Sequence, residues 1–177
     1  PGRAMDQTGR LVEQFQANLI RPTLPQKPEY IQNPLLYFQQ EGYLAKPTYL
    51  LYKDEPIEWD GELFIDGDIS TAFLLDLANN HSRNMKIIDY MLGLPEASSV
   101  LVYACTVEHA EFLTTVLNSI GKKAACISSK TSKALRRMHI QAFKRKEIQY
   151  LFNYGVLTTG FDAPKVDHLL IFRPTSS

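Results

Sequence analysis

From Val100 onward the chain alternates short apolar runs with longer segments of helical spacing, and this order constrains the fold more than any other feature. Val100–Ala104 reads as a first strand. Thr106 can cap a helix over about 107–119 that puts Ala110, Leu113, Val116, Leu117 and Ile120 on one side, and Gly121 stops it. Ala124–Ile127 is a second strand. Ser132 can cap a further helix running to about Lys146, with Leu135, Met138, Ile140, Ala142 and Phe143 apolar. Gln149–Phe152 and Val166–Phe172 are two more apolar runs, joined through the loop Gly155–Pro164. Strands that alternate with helices at this spacing predict an α/β fold, a parallel β-sheet flanked by helices.

The first half is less regular. Thr8–Ile20 carries Leu11, Val12, Phe15 and Leu19 at helical spacing, and Pro22, Pro25 and Pro28 then impose an extended linker. Asn33 can cap a helix that begins at Pro34 and stops near Gly42. Tyr49–Tyr52 is expected to be a strand, with Glu62–Ile65 a short strand pairing back. Ser70–Asn79 and Ser82–Leu92 read as two helices, the second ended by Gly93 and Pro95. The expected organisation is an N-terminal helical and irregular extension over 1–97, then the α/β domain over 98–177. Lys53-Asp54-Glu55-Pro56 imitates the acidic pair that holds magnesium in phosphate-cleaving motors. No Gly-x-x-x-x-Gly-Lys-Ser/Thr loop accompanies it, so an acidic surface turn is the better reading.

The net formal charge is zero, but its distribution is uneven. Asp54 to Asp68 is acidic without a lysine or arginine, whereas Lys122 to Lys146 is basic without a carboxylate. A charge run can be a solvated face; a basic one beside loops at a sheet edge also suits a phosphate chain. Cys105 and Cys126 both lie in or beside apolar runs, which suggests reduced, buried thiols and a cytoplasmic protein. No apolar run approaches the ~18 residues of a membrane span, so no membrane partner is expected.

In a parallel sheet, ligands meet the C-terminal ends of the strands. Three loops reach that edge: Ala104–Val107, Ser128–Ser132 and Gly155–Pro164. Thr106 stands at a helix N-terminus, where free N–H groups favour a phosphate, although a plain N-cap serves equally. In the third loop Thr158 and Thr159 offer hydroxyls and amides, Gly160 allows close backbone approach, Asp162 is a fixed acceptor, and Pro164 stiffens the exit. Arg136 and Arg137 could line the same edge or simply face solvent.

The stretch VLTTGFDAPKVDHLLIFRPTSS resembles motif V of the superfamily 2 helicases, the DEAD/DEAH-box-like group. LVYACTVEHAEFL resembles their motif IV, and SKALRRMHIQAFK their Arg-x-x-x-Leu-x-x-Phe helix, with Arg136 in the arginine's place and Lys133 where related proteins carry glutamine. The resemblance implies a RecA-like C-terminal motor lobe. It implies that Thr106, Lys133, Arg136, Thr158 and Thr159 contact a nucleic-acid backbone, DNA ahead of RNA. Gly160 and Asp162 would face a nucleotide, with ATP and Mg2+ held in the full-length protein against the first RecA-like lobe of the same chain. Pro1-Gly2-Arg3 resembles the exit from motif III, and motif VI, Gln-x-x-Gly-Arg-x-x-Arg, is expected shortly beyond Ser177. Its arginine and the magnesium-holding groups lie outside these residues, so the chain alone is expected to hydrolyse no ATP, and no catalytic residue or metal site is assigned within it.

Two rivals stand beside this reading. A dinucleotide enzyme should show Gly-x-Gly-x-x-Gly after its first strand, and Val100–Val107 contains no glycine. A protein-interaction module on an α/β scaffold, without nucleic-acid binding, remains the alternative. Cys105 and His109 are close in sequence but too few for a metal site, and Asp167 and His168 are expected to cap a strand.

Overall fold

The computed structural model describes residues 33–52, 57–157 and 165–174. The chain divides into two compact units, Pro1–Lys53 and Asp54–Ser177. The expected helix over Thr8–Ile20, the proline linker, the turn at 53–56 and the loop at 158–164 lie outside the described residues.

Among the described residues the first unit contributes one short helix, α1 (Pro34–Gln40). Asn33 caps it as expected, its side chain accepting from the Leu36 N–H at 3.0 Å. Gly42 follows in the left-handed region at φ 80°. Residues 49–52 do not form the expected strand: they are irregular, and Leu51 is 94% exposed. The physical reason is that no partner strand stands among the described residues. A lone strand leaves its backbone groups without a ladder, and the expected mate β1 (Phe64–Ile65) instead pairs antiparallel with β2 (Asp68–Ile69) across the Asp66-Gly67 turn.

In the second unit, α2 (Thr71–Asn79) and α3 (His81–Leu92) follow that hairpin, capped by Ser70 and Asn80. Then come β3 (Val100–Tyr103), α4 (Val107–Ser119), β4 (Ala124–Ile127), α5 (Lys133–Lys144), β5 (Tyr150–Asn153) and β6 (His168–Ile171). The last four strands form one parallel sheet in the order β4-β5-β3-β6. Burial follows position. The inner strand β5 is buried throughout, and β3 at all but its last residue, whereas the edge strands β4 and β6 alternate.

Helices cover both faces. On one, Ile87, Ile88 and Met91 of α3 and Ala110, Leu113 and Leu117 of α4 pack on Val100, Val102, Tyr150 and Phe152. On the other, Phe143 of α5 packs with Leu101, Ala125, Ile127, Leu151 and Leu157. Each fully buried aliphatic side chain contributes about 1.5–3 kcal/mol relative to exposure. At the N-terminal edge Asp167 and His168 begin β6 as expected: Asp167 Oδ2 accepts from the Ser99 N–H at 2.8 Å, and the His168 N–H donates to the Ser99 carbonyl at 3.2 Å. The parallel sheet between two helical layers is the architecture read from the sequence pattern.

Candidate functional site

The strand register brings four chain exits to one level. Tyr103 lies beside both Asn153 and Ile171, and Ile127 beside Asn153. The backbone ladder runs on into the exits, with Ala104 N–H donating to the Asn153 carbonyl, Tyr154 to Ile127 and Phe172 to Tyr103. The loops after β3, β4, β5 and β6 therefore share one rim, which holds Thr106, the 128–132 loop, Tyr154 and Arg173.

Thr106 caps α4. Its Oγ1 accepts from the His109 N–H at 3.1 Å, and the residue is 6% exposed. Its hydroxyl hydrogen is left for an acceptor, either the nearby Glu108 carboxylate or an incoming phosphate. Glu108 in the first turn pairs with Lys130 of the next loop at 3.2 Å. Its carboxyl is held below the usual range by its own backbone N–H, then by Lys130. Ser132 caps α5, accepting from the Leu135 N–H. Lys133, the first residue of that helix, is exposed. Arg136 is not on a freely solvated face. Its Nη2 donates to the carbonyls of Ser128 at 3.1 Å and Thr131 at 3.4 Å, so it braces its own loop. Its Nε is buried without a hydrogen-bond partner among the described residues. Thr158, Thr159, Gly160 and Asp162 lie outside the described residues, but their approach is fixed. Asn153, fully buried, accepts on Oδ1 from the N–H groups of Val156 at 3.1 Å and Leu157 at 2.8 Å. The Tyr103 hydroxyl donates to the Leu157 carbonyl at 2.5 Å.

Behind the rim lies a buried polar knot. The Cys105 N–H donates to His109 Nδ1 at 3.3 Å, so the ring proton sits on Nε2, which faces Asn84 Oδ1 at 3.0 Å. Asn84 Nδ2 in turn donates to the Ala78 carbonyl at 2.8 Å. Arg83 donates to the Phe172 carbonyl and stands 3.8 Å from Cys105 Sγ, which itself donates to the same carbonyl at 3.1 Å. Burial, then the Arg83 charge, lowers His109 to about 4. Burial raises the Cys105 thiol. Three helices, α2, α3 and α4, and the exits of two strands are thereby locked together. Cys105 and His109 serve this lock.

The basic run of the sequence does not gather at the rim. Lys130, Lys133 and Arg136 do. Lys122 and Lys146 instead belong to the opposite edge, where they pair with Glu96 at 2.9 Å and Asp167 at 3.7 Å. Arg145 pairs with its neighbour Glu147 at 2.7 Å. Meanwhile Arg173 reaches the rim beside Tyr154, whose ring centroid is 5.8 Å away, and contacts Asp68 at 3.7 Å. Sequence reasoning missed Asn153, Tyr103, Arg83 and Asn84. Only Asn153, two residues before Gly155, carries a turn signal that could have marked it.

Residues 83–177, more than half of the chain, match the family model described as the helicase conserved C-terminal domain. The chain belongs to that family, in keeping with the superfamily 2 resemblance of its motifs IV and V. IRC3 of Saccharomyces cerevisiae, named for an ATP-dependent helicase activity, is 30% identical over 113 residues, 62% of this chain and 16% of that protein. A Schizosaccharomyces pombe relative, named for a mitochondrial ATP-dependent helicase, is 39% identical over 72 residues, 41% of this chain and 12% of its own length. The chain thus spans less than a fifth of either relative. A solved DEAD-box protein of Methanococcus jannaschii is 25% identical with a TM-score of 0.47, over 52% of this chain and 25% of its own.

Proposed function

We propose that this chain is the second motor lobe of an ATP-dependent helicase or translocase, and that its rim holds a nucleic-acid backbone, DNA ahead of RNA. The supporting observation is the convergence on one sheet edge of Thr106, the 128–132 loop with Lys133 and Arg136, and the exit that leads to Thr158 and Thr159. In this reading Lys133 supplies a solvated cation to a phosphate, Arg136 shapes the loop and adds field, and Thr106 offers its hydroxyl hydrogen. Such contacts are independent of sequence and sensitive to salt. Gly160 and Asp162 would face the nucleotide between this lobe and the first lobe of the same protein.

Among the described residues no group of three His, Cys, Asp or Glu is placed to hold a metal ion. The magnesium that accompanies ATP would take its ligands from the first lobe of the same protein, and this chain would supply part of the nucleotide edge. No helix among the described residues is long and apolar enough to cross a membrane. Two free thiols, Cys105 and Cys126, fit a reducing compartment, either the cytoplasm or a mitochondrial one as in the fission-yeast relative's name.

Titration of labelled single-stranded DNA at low and physiological salt tests the reading. Expected is weak binding that collapses with salt and weakens in Arg136→Ala, with no ATP turnover by the chain alone. Tight, salt-insensitive binding to protein with no DNA affinity would favour the interaction module instead.

A further inference from the structure

The hairpin before the sheet domain has no part in the function proposed above. It is firmly mounted. Ile57 packs beside Leu77, Ala78 and Cys105, and the Trp59 ring meets Phe73 edge-on at 5.2 Å. On the return side Ile69 is buried, and the Ser70 N–H donates to the Leu63 carbonyl at 2.9 Å. Between these anchors residues 61–68 are all exposed.

The centre of what they expose is apolar. Leu63, Phe64 and Ile65 are 41%, 52% and 51% accessible. Consecutive strand residues point to opposite faces, so Phe64 and Ile65 leave apolar surface on both sides of the ribbon. Among the described residues β1 and β2 make a two-stranded sheet with no further neighbour; the outward Ile69 N–H of β2 donates to the Asp68 carboxylate at 2.8 Å, so the outer edge of β1 is the one left for another strand. Carboxylates surround this surface: Glu58, Asp60, Glu62, Asp66 and Asp68, with no lysine or arginine between Ile57 and Ser82. Of the five, Asp68 alone has an ion-pair partner among the described residues, Arg173.

We propose that this hairpin docks an extended, basic segment of a partner protein, one that alternates lysine or arginine with apolar residues. Charge complementarity selects that occupant. The acidic rim repels nucleic acid and anionic lipid, and it repels an identical hairpin from a second copy. A basic strand laid along the β1 edge gains ladder hydrogen bonds, covers Phe64 or Ile65 with its apolar residues, and sets its cations among the carboxylates.

The test uses the full 177-residue chain and a fluorescein-labelled short peptide that alternates lysine with valine and phenylalanine. Its counterpart with glutamate for lysine serves as control. The lysine peptide is expected to bind one per chain. Phe64→Thr with Ile65→Thr, which keeps strand propensity, should weaken it about tenfold, as should Asp60→Lys with Glu62→Lys. Circular dichroism and the urea midpoint report that both variants are folded. Equal binding by wild type and variants overturns the proposal, as does equal binding of the glutamate peptide. So does a wild-type dimer in sedimentation that Phe64→Thr with Ile65→Thr dissolves, since a second copy would then be the occupant. Loss of single-stranded DNA binding in the same variant would assign the hairpin to the rim and overturn it as well.

Discussion

Lowering the pH should remove stability through His109 in particular. The ring accepts from the Cys105 N–H and faces Asn84 Oδ1, so it is needed neutral. Protonation would put a second donor against the Cys105 N–H and a charge beside Arg83, in a residue that is 2% exposed. Burial and that arginine lower its pKa from 6.5 to about 4. The direction follows. As pH falls below about 6.5 the unfolded chain takes up a proton that the folded chain refuses, so folding weakens until the folded ring titrates near 4. At ~1.4 kcal/mol for each unit of difference, the loss amounts to ~3 kcal/mol. That is a large share of the ~5–15 kcal/mol that holds a typical domain together. Urea unfolding followed through Trp59, the only tryptophan, would measure it at several pH values. Carboxylates titrate over part of the same window, so the informative quantity is wild type minus His109→Gln, in which they cancel. A difference that falls by about 3 kcal/mol on acidification, as wild type alone loses stability, supports the buried neutral ring. A flat difference means that His109 titrates normally and the polar knot is not formed as described.

Other contacts give further expectations. Asn153→Ala leaves the Leu157 and Val156 N–H groups without their acceptor and should cost about 2–3 kcal/mol in the urea midpoint. The Leu157 amide should lose hydrogen-exchange protection with it. Arg136→Lys keeps the charge but removes the fork that spans the Ser128 and Thr131 carbonyls. A loss of about 1–2 kcal/mol is expected, measured by thermal unfolding. Cys126 is raised to about 11 by burial and then by Glu111, so at about pH 8 its thiolate is only ~0.1% of the thiol. A disulfide reagent should therefore label it slowly in the native chain and fast in urea.

The helix caps were readable because each acts within three residues: Asn33, Thr106 and Ser132 all accept where the sequence placed them. Strands β3 and β4 were readable as apolar runs between those helices. What escaped depends on distance along the chain. The segment 49–52 has strand composition, yet a strand exists only with a partner, and β1 found a nearer one across a two-residue turn. Arg83 and Phe172 are 89 residues apart, and no local pattern announces that a helix arginine will hold a strand exit. The basic run misled for a related reason: it spans a loop at one end of the sheet and a helix terminus at the other, so its charges separate although they adjoin in sequence.

In the proposed function the C-terminal edge of the sheet, not the basic run as such, holds nucleic acid. Salt dependence of single-stranded DNA binding tests it most directly, with Lys130→Gln and Lys133→Gln at the rim against Lys122→Gln and Lys146→Gln at the opposite edge. The rim pair should lower affinity and reduce the slope of log K against log salt by about 0.7 for each phosphate no longer neutralised, while the opposite pair leaves the slope unchanged. Equal effects from both pairs, or an effect confined to Lys122 and Lys146, would contradict the assignment.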